Sequence, residues 1–192
     1  MRRYLSLTLS FIFAFILWSG NLAFAAEKEV TQENVNAASF TAKPGDIFYM
    51  NKSSNTYFVG HVAIAISSTT LVEIIGPGDH PHTTSIQDFY NRRGNSAVKV
   101  YRYSDSSKAA KAATWAKNYQ INYSDAEYGF DSLLNYETGK MYCSKLVYCA
   151  YYYGADVRLN TSYASIGGAT LKISTPSDIT SSSGMSLVYT LN

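Results

Sequence analysis

The sequence predicts one α+β domain, a small antiparallel sheet packed against helices. Three observations carry this expectation. Short β-type runs bounded by turn residues crowd the first half, at 47–50, 59–66, 71–75 and 97–103. Two helical patterns follow them, at 106–119 and 142–153. No internal repeat and no linker divides the chain, whose 192 residues suit one hydrophobic core.

The elements follow in order. Lys43-Pro44-Gly45-Asp46 is a turn, and Ile47 to Met50 is a first strand. Asn51 to Thr56 is a polar loop. Val59 to Ile66 is a strong strand, Ser67 to Thr69 a turn, and Leu71 to Ile75 the returning strand, which Gly76-Pro77-Gly78-Asp79 stops. Ser85, with Asp88 three residues on, caps a short helix through Phe89 and Tyr90. Ala97 to Tyr103 alternates as a further strand. Ala109, Ala113, Ala116 and Tyr119 share one side of a helix that Ser104 or Asp105 can cap. A short helical piece is expected around Asp131 to Asn135. Tyr142 to Tyr153 forms a second firm helix, ended by Gly154. Residues 160–186 read as Ser/Thr/Gly-rich loop in which Pro176 opens a turn of helix, and Leu187 to Leu191 closes the sheet.

Residues 1–25 have the order of a secretory signal peptide: basic Arg2 and Arg3, apolar Leu5 to Trp18, and a small-x-small site at Ala23-Phe24-Ala25. The alternative is a retained anchor. As a helix the apolar run would span about 21 Å, short of a hydrocarbon core of roughly 30 Å. The expected organisation is signal peptide 1–25, N-terminal arm 26–42 and domain 43–192. The expected location is secreted or in the cell envelope, with no stable membrane span after processing. Apolar residues make up 46% and charged residues only 16%, which excludes a highly charged disordered chain. The formal charge of +2 vanishes once Arg2 and Arg3 are removed, so electrostatics give no argument for nucleic acid as a partner.

Three residues could carry chemistry. A three-residue turn at 67–69 pairs Ile66 with Thr70, which sets His61 opposite Ile75 and Glu73 opposite Ala63. His61 and Glu73 then become diagonal neighbours on one face. A two- or four-residue turn would separate them. Cys143 stands in the first turn of a helix, where unpaired N–H groups and the helix dipole favour a thiolate. Beside an imidazole it becomes a nucleophile, and Glu73 could orient that imidazole. The N–H groups of the helix start, that of Cys143 included, could stabilise an oxyanion. Each residue alone also has a plain reading: a structural strand His, a strand Glu facing solvent, a buried Cys.

Cys149 falls about 240° around the helix from Cys143 and reads as a buried small hydrophobe. Six helical positions put the two Cα atoms about 9 Å apart, too far for a disulfide. No cofactor is expected. A metal is a lesser alternative: Asp79, His80 and His82 could grip one weakly, but no HxxxH or CxxC pair stands in the sequence.

The order of Pro44-Gly45-Asp46-Ile47-Phe48, Gly60-His61-Val62-Ala63-Ile64, Val72-Glu73 and Tyr142-Cys143-Ser144-Lys145-Leu146-Val147 resembles the circularly permuted, papain-like branch of the NlpC-type cysteine peptidase superfamily. The similar group is the YiiX/YebB-like one, related to lecithin–retinol acyltransferase-like proteins. Thr175-Pro176-Ser177-Asp178-Ile179 looks like that family's late Pro-Asp turn. The resemblance implies a permuted papain-like fold with a barrel-like sheet. It also implies Cys143 as nucleophile, His61 as base and Glu73 as its orienting partner. Tyr128, Gly129 and Phe130, with Tyr142, resemble a pocket segment. Lys145 stands where relatives often have Gly or Glu, and no catalytic role follows for it.

The function expected is a secreted cysteine amidase or peptidase, a hydrolase of the thiol protease kind, acting through a Cys thioester and plausibly on cell-wall peptides. Its expected partner is a peptide, amino-acid or acyl substrate, such as one derived from peptidoglycan. Two alternatives stand beside it. One is a thiol acyltransferase or esterase for lipid-like acyl substrates, which a greasy groove at the Cys would favour. The other is a catalytically silent envelope-binding domain.

Overall fold

The computed structural model describes residues 40–51, 60–94, 96–131 and 134–192. The expected signal peptide, most of the arm and the polar loop after Asn51 lie outside the described residues.

A six-stranded sheet, antiparallel at every pairing, organises the domain. Its strands are β1 (Ile47–Met50), β2 (His61–Ala65), β3 (Thr70–Glu73), β4 (His82–Ser85), β5 (Val98–Tyr103) and β10 (Met185–Leu191), in the order β10-β5-β1-β2-β3-β4. The central strands are buried on both faces, which is why β2 reads as an unbroken apolar run. Ile47, Val62, Ile64 and Val72 face one core, with helices α2 (Ser106–Asn122) and α3 (Cys143–Ala155). Phe48, Met50, Ala63, Ala65 and Leu71 face a second core with Phe89 and Tyr90 of α1 (Ile86–Asn91). The two-residue period sorts neighbours to opposite cores.

Local chemistry explains the helix boundaries. Ser85 accepts the Asp88 N–H at 2.9 Å and starts α1. Asp105 accepts from the N–H groups of Ser107 and Lys108 and starts α2. Thr175 and Asp178 form a reciprocal capping box for α4 (Pro176–Thr180), with Pro176 in the first turn. Helix α3 is almost wholly buried: Leu146, Val147, Cys149, Ala150 and Tyr151 are inaccessible to solvent. The Tyr151 hydroxyl donates to the Gly45 carbonyl at 2.8 Å. Gly45 is required there. It has φ +90°, and a Cβ would lie 2.4 Å from the Ala109 carbonyl oxygen.

Three expectations are corrected. Gly154 does not end α3; the helix runs to Ala155 and is capped by Asp156 in the left-handed region at φ 53°. Gly154 instead admits α2, since a Cβ there would lie 2.7 Å from the Trp115 Cβ. Residues 160–186 are not all loop: β8 (Ser162–Ile166) and β9 (Ala169–Ile173) form a hairpin about Gly167-Gly168, both glycines at positive φ. Of the helical piece expected at 131–135, residues 132 and 133 lie outside the described residues; Asp131, Leu134 and Asn135 are not helical, and a 3₁₀ turn follows at Tyr136–Thr138. The polar strand β4 adds an edge that no pattern announced. Two short strands, β6 (Glu127–Tyr128) and β7 (Lys140–Met141), pair in parallel just ahead of α3.

Candidate active site

The β2–β3 hairpin sets the first pair. Ile64 faces Val72 and Ala65 faces Leu71, the register expected from a three-residue turn. His61 and Glu73 are therefore diagonal neighbours, and their side chains meet: His61 Nε2 lies 2.7 Å from Glu73 Oε2. Both are buried, at 3% and 1% exposure. The His61 ring also stacks on Phe89, with centroids 5.5 Å apart.

The third residue arrives from α3. Cys143 is the first residue of that helix, and Tyr142 before it makes no side-chain cap. The first-turn N–H groups are therefore not covered by a capping side chain. The His61 ring, the Val62 backbone and the Ser144 side chain are the groups that act on the Cys143 thiol. With Nε2 of His61 committed to Glu73, Nδ1 is the nitrogen left for the sulfur.

Electrostatics follow from these contacts. Burial alone would push the Cys143 thiol up, but the hydrogen bond and charge of His61, the Val62 N–H and Ser144 bring it below the ordinary thiol value. Burial alone would likewise lower His61; its hydrogen bonds to Cys143 and Glu73 overcome this and raise it to about 9. The two opposite shifts describe one thiolate–imidazolium pair. Burial disfavours the Glu73 carboxylate, yet His61, His82 and Arg92 hold it well below the usual carboxylate range.

Cys149 behaves otherwise. It is fully buried, its Sγ lies 3.9 Å from the Leu134 carbonyl, and burial pushes its thiol up to about 12. Both cysteines are free thiols.

A cavity of about 380 Å³ opens on Cys143. Tyr128, Phe130 and Tyr142 line it, as do Pro77, Ile166 and Ile173. Gly129 is not part of the lining; its N–H donates to the Met141 carbonyl at 2.9 Å and holds the β6–β7 pair. The hairpin β8–β9 forms one wall, which the reading of 160–186 as loop concealed. Lys145 points the other way. Its Nζ is buried against Asp131 at 2.8 Å, the Thr138 hydroxyl at 3.0 Å and the Lys140 carbonyl at 2.7 Å.

Two residues at the site escaped the sequence reading. Arg92 bonds Glu73 Oε1, and His82 Nε2 lies 3.4 Å from the same oxygen. His82 was considered only with Asp79 and His80 as a weak metal grip. Among the described residues no group of three or more His, Cys, Asp or Glu is arranged to hold a metal ion. His80 instead sets its Nδ1 3.1 Å from the Ala126 carbonyl.

The α+β fold is similar to that of YiiX. The crystal structure of metalloprotein YiiX from Escherichia coli O157:H7 matches with a TM-score of 0.61, over 78% of this chain and 98% of that one, at 16% identity. Residues 2–178 match the family described as lipoprotein N-acylation protein LnsA-like, and the chain belongs to that family. An uncharacterized 30.3 kDa protein of Bacillus thuringiensis is 34% identical over 62% of this chain and 47% of its own length. The uncharacterized protein YycO of Bacillus subtilis strain 168 is 31% identical over 79% of this chain and 57% of its own. The chain thus spans about half the length of the curated relatives it matches. Among the described residues no helix is long and apolar enough to cross a membrane.

Proposed function

We propose that the protein is a thiol acyltransferase that carries a lipid-like acyl group on Cys143. The observation that carries this reading is the apolar cavity at the thiol. Its volume of about 380 Å³ is within the range of small-molecule sites, and Ile166, Ile173, Phe130 and Pro77 offer it hydrocarbon rather than hydrogen bonds. A cell-wall peptide, rich in amides, would leave its polar groups unpaired against such walls. The family description, lipoprotein N-acylation, points the same way. The likeness to permuted papain-like enzymes belongs to the same reading.

The chemistry runs in two halves. The Cys143 thiolate attacks the acyl carbonyl of an ester donor, and the N–H of Cys143 at the helix start donates to the oxyanion. The ester C–O bond breaks, and the His61 imidazolium gives its proton to the departing alkoxide. The product is an S-acyl thioester beside a neutral imidazole. An amine then attacks the thioester while His61 takes its proton. The C–S bond breaks, an amide forms, and the thiolate–imidazolium pair is restored. Glu73 keeps the Nε2 proton in place throughout. Water in place of the amine would make the same site a hydrolase.

The test is intact-mass analysis of the chain after incubation with a fatty-acyl ester donor and, separately, with peptidoglycan fragments. The expected result is an acyl adduct on Cys143, discharged by an amine-bearing peptide and absent from Cys143→Ala. Cleavage of the fragments with no acyl adduct from the ester would overturn the reading in favour of an amidase. Inertness toward both would leave a binding domain.

A further inference from the structure

We propose that Arg92 and His82 are positioning residues that clamp the outer oxygen of Glu73, and that this clamp sets the pH range over which Cys143 is held as a thiolate. The proposal rests on the reading of Cys143 as nucleophile.

Glu73 divides its two oxygens. Oε2 faces His61, while Oε1 takes the Arg92 guanidinium and the His82 ring. A carboxylate pinned at Oε1 cannot rotate away from His61. Each clamp residue is itself placed by the fold. His82 stands opposite Glu73 in the β3–β4 register. Arg92 caps the end of α1, and its guanidinium lies 5.7 Å from the Phe89 ring, on which His61 also stacks.

The His82 ring is built to be doubly protonated. Its Nδ1 faces the His80 carbonyl at 2.9 Å and Asp79 Oδ1 at 3.3 Å, both acceptors, so Nδ1 carries a proton. Its Nε2 faces Glu73 Oε1, a third acceptor. Only the imidazolium satisfies both sides, and His82 is accordingly raised to about 9 by its bond to Glu73, against partial burial, with help from the His80 carbonyl and Asp79.

The charge balance shows why the clamp matters. Facing Glu73 are His61 from β2, His82 from β4 and Arg92 from the end of α1. Behind His61 stands Cys143 of α3, and behind His82 stands Asp79 of the turn after β3. Without the clamp, one imidazolium would sit between two buried anions, the Glu73 carboxylate and the thiolate. That surplus negative charge would be relieved by protonating the thiolate. Arg92 and His82 offset it from the far side of Glu73.

The experiment is the rate of Cys143 alkylation by iodoacetamide against pH, with the labelled Cys located by peptide mass mapping. It compares wild type with Arg92→Gln, Arg92→Lys and His82→Gln, each checked by thermal melting. Arg92→Gln is expected to move the acid limb up by about one pH unit, so labelling on that limb slows about tenfold while the plateau rate holds. Arg92→Lys should bring the limb back toward wild type. His82→Gln should shift it in the same direction by less, since His82 is more open and its contact longer. A folded Arg92→Gln with an unmoved limb, or with labelling slowed equally at every pH, overturns the clamp. Should Arg92→Gln fail to fold, an unmoved limb in His82→Gln overturns it alone. Alkylation needs no acyl donor. A shifted limb in a protein that forms no acyl-enzyme therefore upholds the clamp and removes the acyl-transfer reading, and acyl transfer with an unmoved limb does the reverse.

Discussion

Replacing Glu73 by Gln keeps the side-chain shape and removes the one buried charge that three cationic groups share. Removing one partner of a buried pair typically costs about 3–5 kcal/mol. Two features reduce that here. Arg92 is 35% exposed, so water screens its share, and His61 can discharge itself by losing a proton. The expected loss is about 2–3 kcal/mol, which for a domain of this size lowers Tm by about 4–12 °C. The loss should depend on pH with a definite sign. In the native protein His61 is raised to about 9 from 6.5, so its contribution is fully present below pH 6.5 and is lost as pH rises through 9. The part of the carboxylate's depression that comes from His61 describes the same interaction, but the part held by Arg92, which keeps its charge throughout, persists at every pH above about 4.5. The gap between the melting curves of the two proteins should therefore be widest near pH 6 and narrow above pH 9, down to the share that Arg92 holds. The assay is thermal melting followed by circular dichroism across that range. A gap as large at pH 9.5 as at pH 6 would refute the reasoning, because it would mean that Glu73 supports the fold without holding a charge on His61.

Two further outcomes test the surroundings of the site. Gly154→Ala should destabilise by about 1–3 kcal/mol in a melting experiment, although Ala is the better helix former by about 1 kcal/mol, because its Cβ would meet the Trp115 Cβ at 2.7 Å and the Lys111 carbonyl oxygen at 2.9 Å. Lys145→Met should cost about 2–3 kcal/mol, less than a fully buried pair, because Asp131 retains 20% exposure; a double-mutant cycle with Asp131→Asn should recover a coupling of at least 1 kcal/mol between the two.

The elements that could be read from the sequence were those whose determinants are local. The β2–β3 register followed from the length of the 67–69 turn, and the helical pattern read from Tyr142 begins one residue before α3 itself. What escaped depended on partners distant in sequence. Arg92 carries no local signal, because nothing near it says that its guanidinium meets a carboxylate 19 residues earlier. Gly154 looked like a helix stop, because the helix it admits, α2, is specified elsewhere. Strand β4 is too short and polar to carry a periodic signal. The β8–β9 hairpin did carry one. Gly167-Gly168 between alternating runs is a two-residue hairpin turn, and the richness in Ser and Thr masked it.

The chain order of the three central residues has a consequence for how reactivity begins. His61, Glu73 and Arg92 lie within one local stretch, their bonds spanning 12 and 19 residues. Cys143 joins them only when α3 docks on β2, after the chain has continued well beyond Arg92. Until that docking the thiol has neither imidazole nor Val62 N–H beside it and titrates as an ordinary cysteine, mostly protonated at neutral pH. On an emerging chain, where the earlier segment folds first, the site therefore matures from base to nucleophile. An unfinished or misdocked molecule is chemically quiet, and the appearance of a reactive sulfur reports that the domain has closed.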